Sequence, residues 1–275
     1  MKSIPALNSV RVGVIGVGNM GRALIRGLMD SGVVAADRVS VCEQRREMVA
    51  DLGVTIFDSP RQVADAADVV IVCVKPHHVA GVLDELAAGS RLAVVISIAA
   101  GLTVASLRDA LGARHDVHVV RAMPNTAAAL RASTTAWVAP ASGDPALASL
   151  VTTLLGAFGE VVALDDESKM HAFTAVAGSG PAFVALFAEA LADGAVAEGM
   201  PREAARHAAA SMLLGAARLL LEPGAMPGTI KDAVASPGGT TIAGVAALED
   251  AGFRSATIKA VRAAAARSKE MAHGK

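Results

Sequence analysis

Short, unbroken apolar runs alternate with helix-spaced apolar positions through the first part of the chain. Val12, Val14 and Ile15 read as a short buried strand, and Ala23, Leu24, Leu28 and Met29 then recur at helical spacing. The pattern next predicts a strand at residues 38–42, a short helix at 45–52 and a strand at 54–57. Ser59 caps a helix through Ala67, with Pro60 at its first position. Residues 68–74 (DVVIVCV) form a continuous apolar run, as expected of a parallel strand covered on both faces. Pro76 opens another helix, residues 91–98 form a strand, and a helix starts at Thr103. Residues 116–123 are a strand ending at Pro124-Asn125, and 134–140 and 160–164 are closing strands with a helix between them. This repetition predicts an α/β fold built on a Rossmann-like, doubly wound parallel sheet.

The alternation stops near Asp165-Asp166-Glu167, and no strand of any length follows. Residues 181–197, 201–221, 228–235, 240–248 and 254–272 all read as helices, the second ended by Pro223-Gly224. Small residues such as Ala208, Ala209, Ala210, Gly215, Ala216 and Ala217 dominate their faces. Alanine-rich helices with such broad apolar surfaces interleave with a second copy more often than they stand as a lone bundle. The expected boundary divides an α/β domain at 1–166 from an all-helical dimerisation domain at 167–275. Residues 170–188 hold no Asp, Glu, Lys or Arg and approach membrane-spanning length. Gly178-Ser179-Gly180-Pro181 interrupts them, which predicts the start of a buried helix and no membrane span.

Composition narrows the classes further. Of 275 residues, 53% are hydrophobic, 19% charged and 3% aromatic, enough for a sizeable core of Ala, Val and Leu. A net charge of −1 makes no electrostatic case for nucleic acid or an anionic membrane. Cys42 and Cys73 sit in expected strands as small apolar residues, so no disulfide framework exists and a reducing cytoplasm fits. No apolar run precedes Val10, so no signal peptide is expected.

The stretch Arg11–Gly21 carries the first chemistry. Gly16, Gly18 and Gly21 follow the first strand as G-x-G-x-x-G and open the first helix, the order that a dinucleotide pyrophosphate requires. Gly16 allows the tight turn, Gly18 the approach of backbone to phosphate, and Gly21 close packing of helix on strand. Three other strand ends qualify: Val74-Lys75-Pro76, Ile98-Ala99-Ala100-Gly101 and Arg121-Ala122-Met123-Pro124-Asn125. Lys75 is either a rim charge for a ligand or a solvated residue at a helix start, and Asn125 either a cofactor contact or a turn residue. Glu43 ends the second strand about 20 residues past the last glycine, where an acid binds the 2′-hydroxyl of NAD. Arg45 and Arg46 follow it and would attract the 2′-phosphate of NADP, so the two signals oppose each other. No cluster of His, Cys or carboxylates has metal-ligand spacing, G-x-S-x-G is absent, and Asp165-Asp166 reads as a solvated turn. Late in the chain, Ser236-Pro237-Gly238-Gly239-Thr240-Thr241 precedes an apolar helix. Bare N–H groups and hydroxyls at a helix start suit a carboxylate, the plain alternative being a Ser-Pro turn with a threonine cap.

Taken together, the motifs resemble the Δ1-pyrroline-5-carboxylate reductase family over nearly the whole chain, from Val12 to about Glu270. The pieces are Gly16-Val-Gly-Asn-Met-Gly21, Val74-Lys-Pro76, Arg121-Ala-Met-Pro-Asn-Thr126, Gly178-Ser-Gly-Pro181 and Ser236-Pro-Gly-Gly-Thr-Thr-Ile-Ala-Gly244. The resemblance implies a small imine substrate, NADP(H) or NAD(H) as coenzyme, and homodimers assembled into larger rings, often decamers. It implies cofactor contacts at Ile15, Gly16, Val17, Gly18, Asn19, Met20, Gly21, Glu43, Val74, Lys75, Pro76, Ile98, Ala99, Ala100 and Asn125. Substrate contacts fall on Ser236, Gly239, Thr240 and Thr241, with Glu167 approaching at the domain junction and the Thr241 hydroxyl at the imine nitrogen. The family position often occupied by serine is Glu43, which departs from the usual NADPH preference, and an asparagine seen in some members is Ala233. An imine that takes a hydride already protonated needs no strong acid, and positioning alone supplies up to roughly 7–11 kcal/mol of the barrier. Two other readings stand beside this one. A related imine or hydroxy-acid dehydrogenase would use Lys75 to move a proton, and a non-catalytic dinucleotide sensor would need no carboxylate site.

Overall fold

The computed structural model describes residues 1–139 and 144–272. Among them lies one sheet of eight strands: β1 (Val12–Ile15), β2 (Val39–Cys42), β3 (Thr55–Phe57), β4 (Val69–Val72), β5 (Val94–Ser97), β6 (His118–Met123), β7 (Ser133–Val138) and β8 (Gly159–Ala163). Their spatial order is β3-β2-β1-β4-β5-β6-β7-β8. Pro140, the expected end of the seventh strand, lies outside the described residues. The helices of this part are α1 (Asn19–Asp30), α2 (Pro60–Ala66), α3 (Pro76–Ala87), α4 (Val104–Ala110) and α5 (Pro145–Gly156).

Alternation along the strands explains the two layers of helices. Val12, Val14, Val41, Ile71, Ile96 and Val120 pack on one face with Leu24, Ile25 and Leu28 of α1 and Leu147, Val151 and Leu154 of α5. Val70, Val72, Val95 and Val119 point the other way, onto Val63 of α2, Val79, Leu83 and Leu86 of α3, and Leu107 of α4. Each such fully buried side chain contributes about 1.5–3 kcal/mol. Trp137 of β7 is 1% exposed, and its indole N–H is buried with no hydrogen-bond partner.

Three expectations need correction. The sheet is not parallel throughout: β6 and β7 pair antiparallel, and β8 runs parallel to β7. Only a 3-10 turn at Thr126–Leu130 joins β6 to β7, and a parallel return needs a crossover of a dozen residues or more. The short helix expected at 45–52 is a single 3-10 turn, Arg46–Met48. Arg45 holds a non-helical backbone (φ −87°, ψ 86°) because its N–H is bonded to the Glu43 carboxylate. Finally, the glycines at 178 and 180 do not break the helix they interrupt. A 3-10 turn (Glu167–Lys169), α6 (Met170–Phe173), a π turn (Thr174–Gly178) and α7 (Gly180–Ala197) follow almost without pause, and Ser179 stays right-handed helical (φ −90°, ψ −28°). Pro181 sits within the first turn of α7, where its missing N–H costs nothing.

The chain divides into two compact units, Met1–Gly178 with Ala264–Lys275, and Ser179–Ala263. The second is helical: α7, α8 (Arg202–Leu221), α9 (Pro227–Val234), α10 (Thr240–Asp250) and the first part of α11 (Phe253–Ala272). Ala192 of α7 and Ala205 and Ala209 of α8 are buried, Asp193 pairs with Arg202 across the connecting turn, and Phe187 meets Phe253 at 5.6 Å. Val184, Leu186, Met212, Leu214, Leu221 and Ile258 are all more than two-fifths exposed in the single chain. By length and composition the run 167–197 is apolar enough to cross a membrane (mean hydropathy 1.5), and most of it is exposed rather than buried as expected.

Gly159 opens β8 at φ +138°, and a Cβ there would overlap the Ser133 backbone at the start of β7. Gly159→Ala should therefore cost about 1–3 kcal/mol and lower the denaturant midpoint of unfolding. An unchanged midpoint would show that the two strands separate without loss.

Candidate active site

The carboxyl ends of β2, β1, β4, β5 and β6 adjoin along one edge of the sheet, and most of the expected ligand residues follow them. Ile15 ends β1 at 3% exposure. Gly16 then takes φ +86°, with its N–H donating to the Cys42 carbonyl at 3.0 Å. A Cβ on Gly16 would stand 2.8 Å from Val74 Cγ1, and one on Gly21 would overlap the Gly16 carbonyl oxygen. Glycine is thus required at 16 for the left-handed turn and at 21 for the closeness of α1 to that turn.

Gly18 is the N-cap of α1, and the space a Cβ would fill there is open. No side chain caps α1 and its first turn holds no acid. Its first N–H groups are consequently free to bind an anion, aided by the positive end of the helix dipole. Val17 is buried, Met20 half-buried and Asn19 exposed. These features fit the pyrophosphate of a dinucleotide.

The other strand ends present small or open surfaces. Val74, Ile98 and Ala100 are half-buried, Lys75 and Pro76 are exposed, and no side chain caps α3 at Lys75. The buried Ala99 donates its N–H to Ser97 Oγ at 3.3 Å. Burial pushes the Cys73 thiol up, so it stays protonated beside this edge. Asn125 is engaged on both sides: Oδ1 accepts the Ala127 N–H at 3.1 Å, and Nδ2 donates to the Ala177 carbonyl in the π turn at 3.0 Å. It ties the end of β6 to the run that leads into α7. At the boundary turn, Lys169 and Ser168 hold the exposed Asp165 and Asp166 carboxyls below the usual range, as a solvated turn implies.

Glu167 has two protein partners. Oε1 accepts the Val104 N–H that opens α4 and the Arg121 Nη1 donor, both at 2.9 Å. Arg121 is 1% exposed, and its Nε and Nη2 have no hydrogen-bond partner. The pairing was not foreseen from the sequence, although a lone arginine inside the apolar strand His-Val-Val-Arg-Ala-Met is a visible signal for a buried partner.

The second unit holds Ser236, Gly239, Thr240 and Thr241. Gly238 turns left-handed (φ +65°), the Gly239 N–H donates to the Ser236 carbonyl at 3.0 Å, and a Cβ on Gly239 would overlap Ser236 Oγ. The N-cap of α10 is Gly239, not a threonine, and no side chain caps the helix. Both threonine hydroxyls therefore remain available for a ligand, Thr241 half-buried and Thr240 exposed. Among the described residues no group of His, Cys, Asp and Glu is arranged to hold a metal ion.

Known proteins converge on the same reading. A family described as pyrroline-5-carboxylate reductase dimerisation matches residues 167–271, and one described as NADP oxidoreductase, coenzyme F420-dependent, matches 11–101. The pyrroline-5-carboxylate reductase of Escherichia coli is 41% identical over 91% of this chain and 94% of its own. Among solved structures, a pyrroline-5-carboxylate reductase from Coxiella burnetii superposes with a TM-score of 0.89 at 34% identity, covering 96% of this chain and 99% of the other. A Plasmodium falciparum pyrroline carboxylate reductase with NADP bound does so at 0.84 and 25% identity, over 97% and 100%.

Removing the Glu167 carboxylate leaves the Arg121 charge buried and unanswered. Breaking a buried pair costs up to about 3–5 kcal/mol, less where water reaches one partner, and Glu167 is 29% exposed. Glu167→Ala should lower the unfolding midpoint clearly, with Arg121→Met/Glu167→Ala recovering part of the loss. A midpoint equal to wild type in Glu167→Ala would mean that Arg121 finds another acceptor.

Proposed function

We infer the roles of individual residues from one premise: the chain belongs to the pyrroline-5-carboxylate reductase family. It is an NAD(P)H-dependent oxidoreductase that reduces the C=N bond of 1-pyrroline-5-carboxylate to L-proline, the last step of proline biosynthesis. It acts on a small molecule as a homo-oligomer. When bound, NAD(P)H supplies the hydride.

The chain's own groups bind and orient. In our reading the open N-terminus of α1, with Gly16 to Gly21, holds the pyrophosphate, and Glu43, residues 74–76, Ile98 to Ala100 and Asn125 flank the rest of the dinucleotide. The uncapped N–H groups of Thr240 and Thr241 hold the substrate carboxylate, with Ser236 beside them; the Gly239 N–H is already taken by the Ser236 carbonyl. The Thr241 hydroxyl donates to the ring nitrogen, and Glu167 is a further substrate contact. The observation that carries this assignment is the start of α10, where the Gly238-Gly239 turn leaves the helix without a side-chain cap and with the Thr240 and Thr241 hydroxyls beside it. We assign the helical dimerisation and substrate domain to 167–275 and the dinucleotide-binding domain to 1–166, a boundary supported by the family match beginning at 167. A second copy covering the exposed faces of α7 and α8 accounts for the long apolar run without a membrane. Assembly of dimers into a decamer, a cytoplasmic location and the lack of a nucleic-acid partner complete the proposal.

Loss of NAD(P)H absorbance with pyrroline-5-carboxylate, and none with a 2-keto acid, tests the reaction itself. The oligomer should appear by sedimentation at micromolar concentration as a dimer or a multiple of it, and a folded, active monomer would contradict that expectation. Thr241→Val keeps the shape and removes the hydroxyl. A hydrogen bond to a charged group contributes about 1.5–3 kcal/mol, so turnover at saturating substrate and coenzyme should fall roughly 10- to 150-fold, with coenzyme affinity nearly unchanged. Wild-type turnover in this variant would leave backbone positioning as the surviving account.

A further inference from the structure

One side chain links the glycine turn to the end of β2. Glu43 follows β2 directly, and its side chain is only 10% exposed. Oε2 accepts the Val17 N–H at 2.7 Å. Oε1 accepts the Arg45 N–H at 3.0 Å and lies 3.5 Å from Arg45 Nε. Backbone donors thus hold the carboxylate from two directions, and it cannot swing away without stranding a largely buried charge. Burial alone would raise its pKa, but the Arg45 and Val17 N–H groups and the Arg45 charge outweigh that effect and hold it below the ordinary value. The group is therefore an anion at neutral pH.

The cations nearest to Glu43 in sequence are matched to acids. Arg45 leans on Glu43 itself, and Arg46 pairs with Asp58. On the first helix, Arg22 and Arg26 converge on Asp51. Three donors already approach a carboxylate that offers about four acceptor sites. The remaining capacity suits one hydroxyl donor. A phosphate monoester instead brings about −1.5 to −2 charge and no donor.

We propose that Glu43 sets the coenzyme preference of this enzyme, accepting the 2′-hydroxyl of NADH and disfavouring the 2′-phosphate of NADPH. The inference rests on the glycine turn being the NAD(P)H site and is independent of which imine is reduced. The opposing signal from Arg45 and Arg46 is answered by their pairing, since each would have to leave a carboxylate to meet a phosphate.

Calorimetric titration of the full-length protein without imine tests it, using NADH, NADPH, ADP-ribose and 2′-phospho-ADP-ribose. The unphosphorylated member of each pair should bind at least about tenfold tighter. Glu43→Gln keeps the shape and an acceptor for the Val17 N–H while removing the charge, and should close most of that gap by tightening the phosphorylated ligands. Glu43→Ser should move the ratio in the same direction, and the ratio of kcat/KM for the two coenzymes should follow. Equal binding by wild type, tighter NADPH, or a parallel loss of both ligands in Glu43→Gln would overturn the proposal. Failure of all four ligands to bind would overturn the glycine-turn reading and this inference with it, whereas binding without pyrroline-5-carboxylate reduction would count against the reaction alone.

Discussion

The closeness of Gly21 to the carbonyl oxygen of Gly16 leaves no room for a side-chain carbon, and the coenzyme edge is arranged around that contact. It presses the start of α1 onto the turn after β1, so that the helix opens above the strand ends with its N–H groups unspent. Val74 closes on Gly16 from the segment after β4, the Cys42 carbonyl of β2 takes the Gly16 N–H, and the Glu43 carboxylate takes the Val17 N–H. Three neighbouring strands thereby fix one short turn. Packing on both faces of β1 and β4, where every residue is buried, supplies the rigidity that this turn lacks by itself.

The same device recurs in the helical unit under different local rules. At α10 the glycine pair at 238 and 239 folds back on Ser236 and leaves the helix start without a cap. Capping a helix N-terminus is worth about 0.5–2 kcal/mol, and both α1 and α10 forgo it. Ser59 on α2, the Thr103–Ser106 box on α4 and Asp144 on α5 do supply caps, whereas α3, α7, α8 and α9 also start without a side-chain cap. What sets α1 and α10 apart is a glycine at the N-cap, Gly18 and Gly239, which lets a ligand approach the helix start without meeting a side chain.

Much of this was legible in the residues. The run of apolar strands, the proline and serine that start α2, and the G-x-G-x-x-G turn each state a local rule that tertiary structure did not override. What escaped depended on partners distant in sequence. Arg121 and Glu167 are far apart along the chain, and neither alone announces a buried pair. The antiparallel entry of β7 follows from the brevity of the connection after β6, which apolar patterning does not register. The continuity through residues 174–180 was hidden because glycine and proline read as breakers, yet a π turn and a first-turn proline absorb them. Lateral placement of Arg45 and Arg46 was equally invisible, since only the fold shows which acid each one meets.

The sole tryptophan, with no tyrosine anywhere in the sequence, gives the molecule an unusual optical simplicity. Trp137 lies in β7 within the sheet-bearing unit, shielded from water and without a hydrogen-bond partner for its indole. Its emission reports the packing of that unit alone, while the helical unit, with only phenylalanine among its aromatic residues, is nearly dark. Unfolding of the sheet and loosening of the helices are therefore separable by fluorescence and circular dichroism in one wild-type sample. Because indole emission overlaps the absorption of a reduced nicotinamide, the same residue also serves as a native energy donor to bound coenzyme, with no label attached.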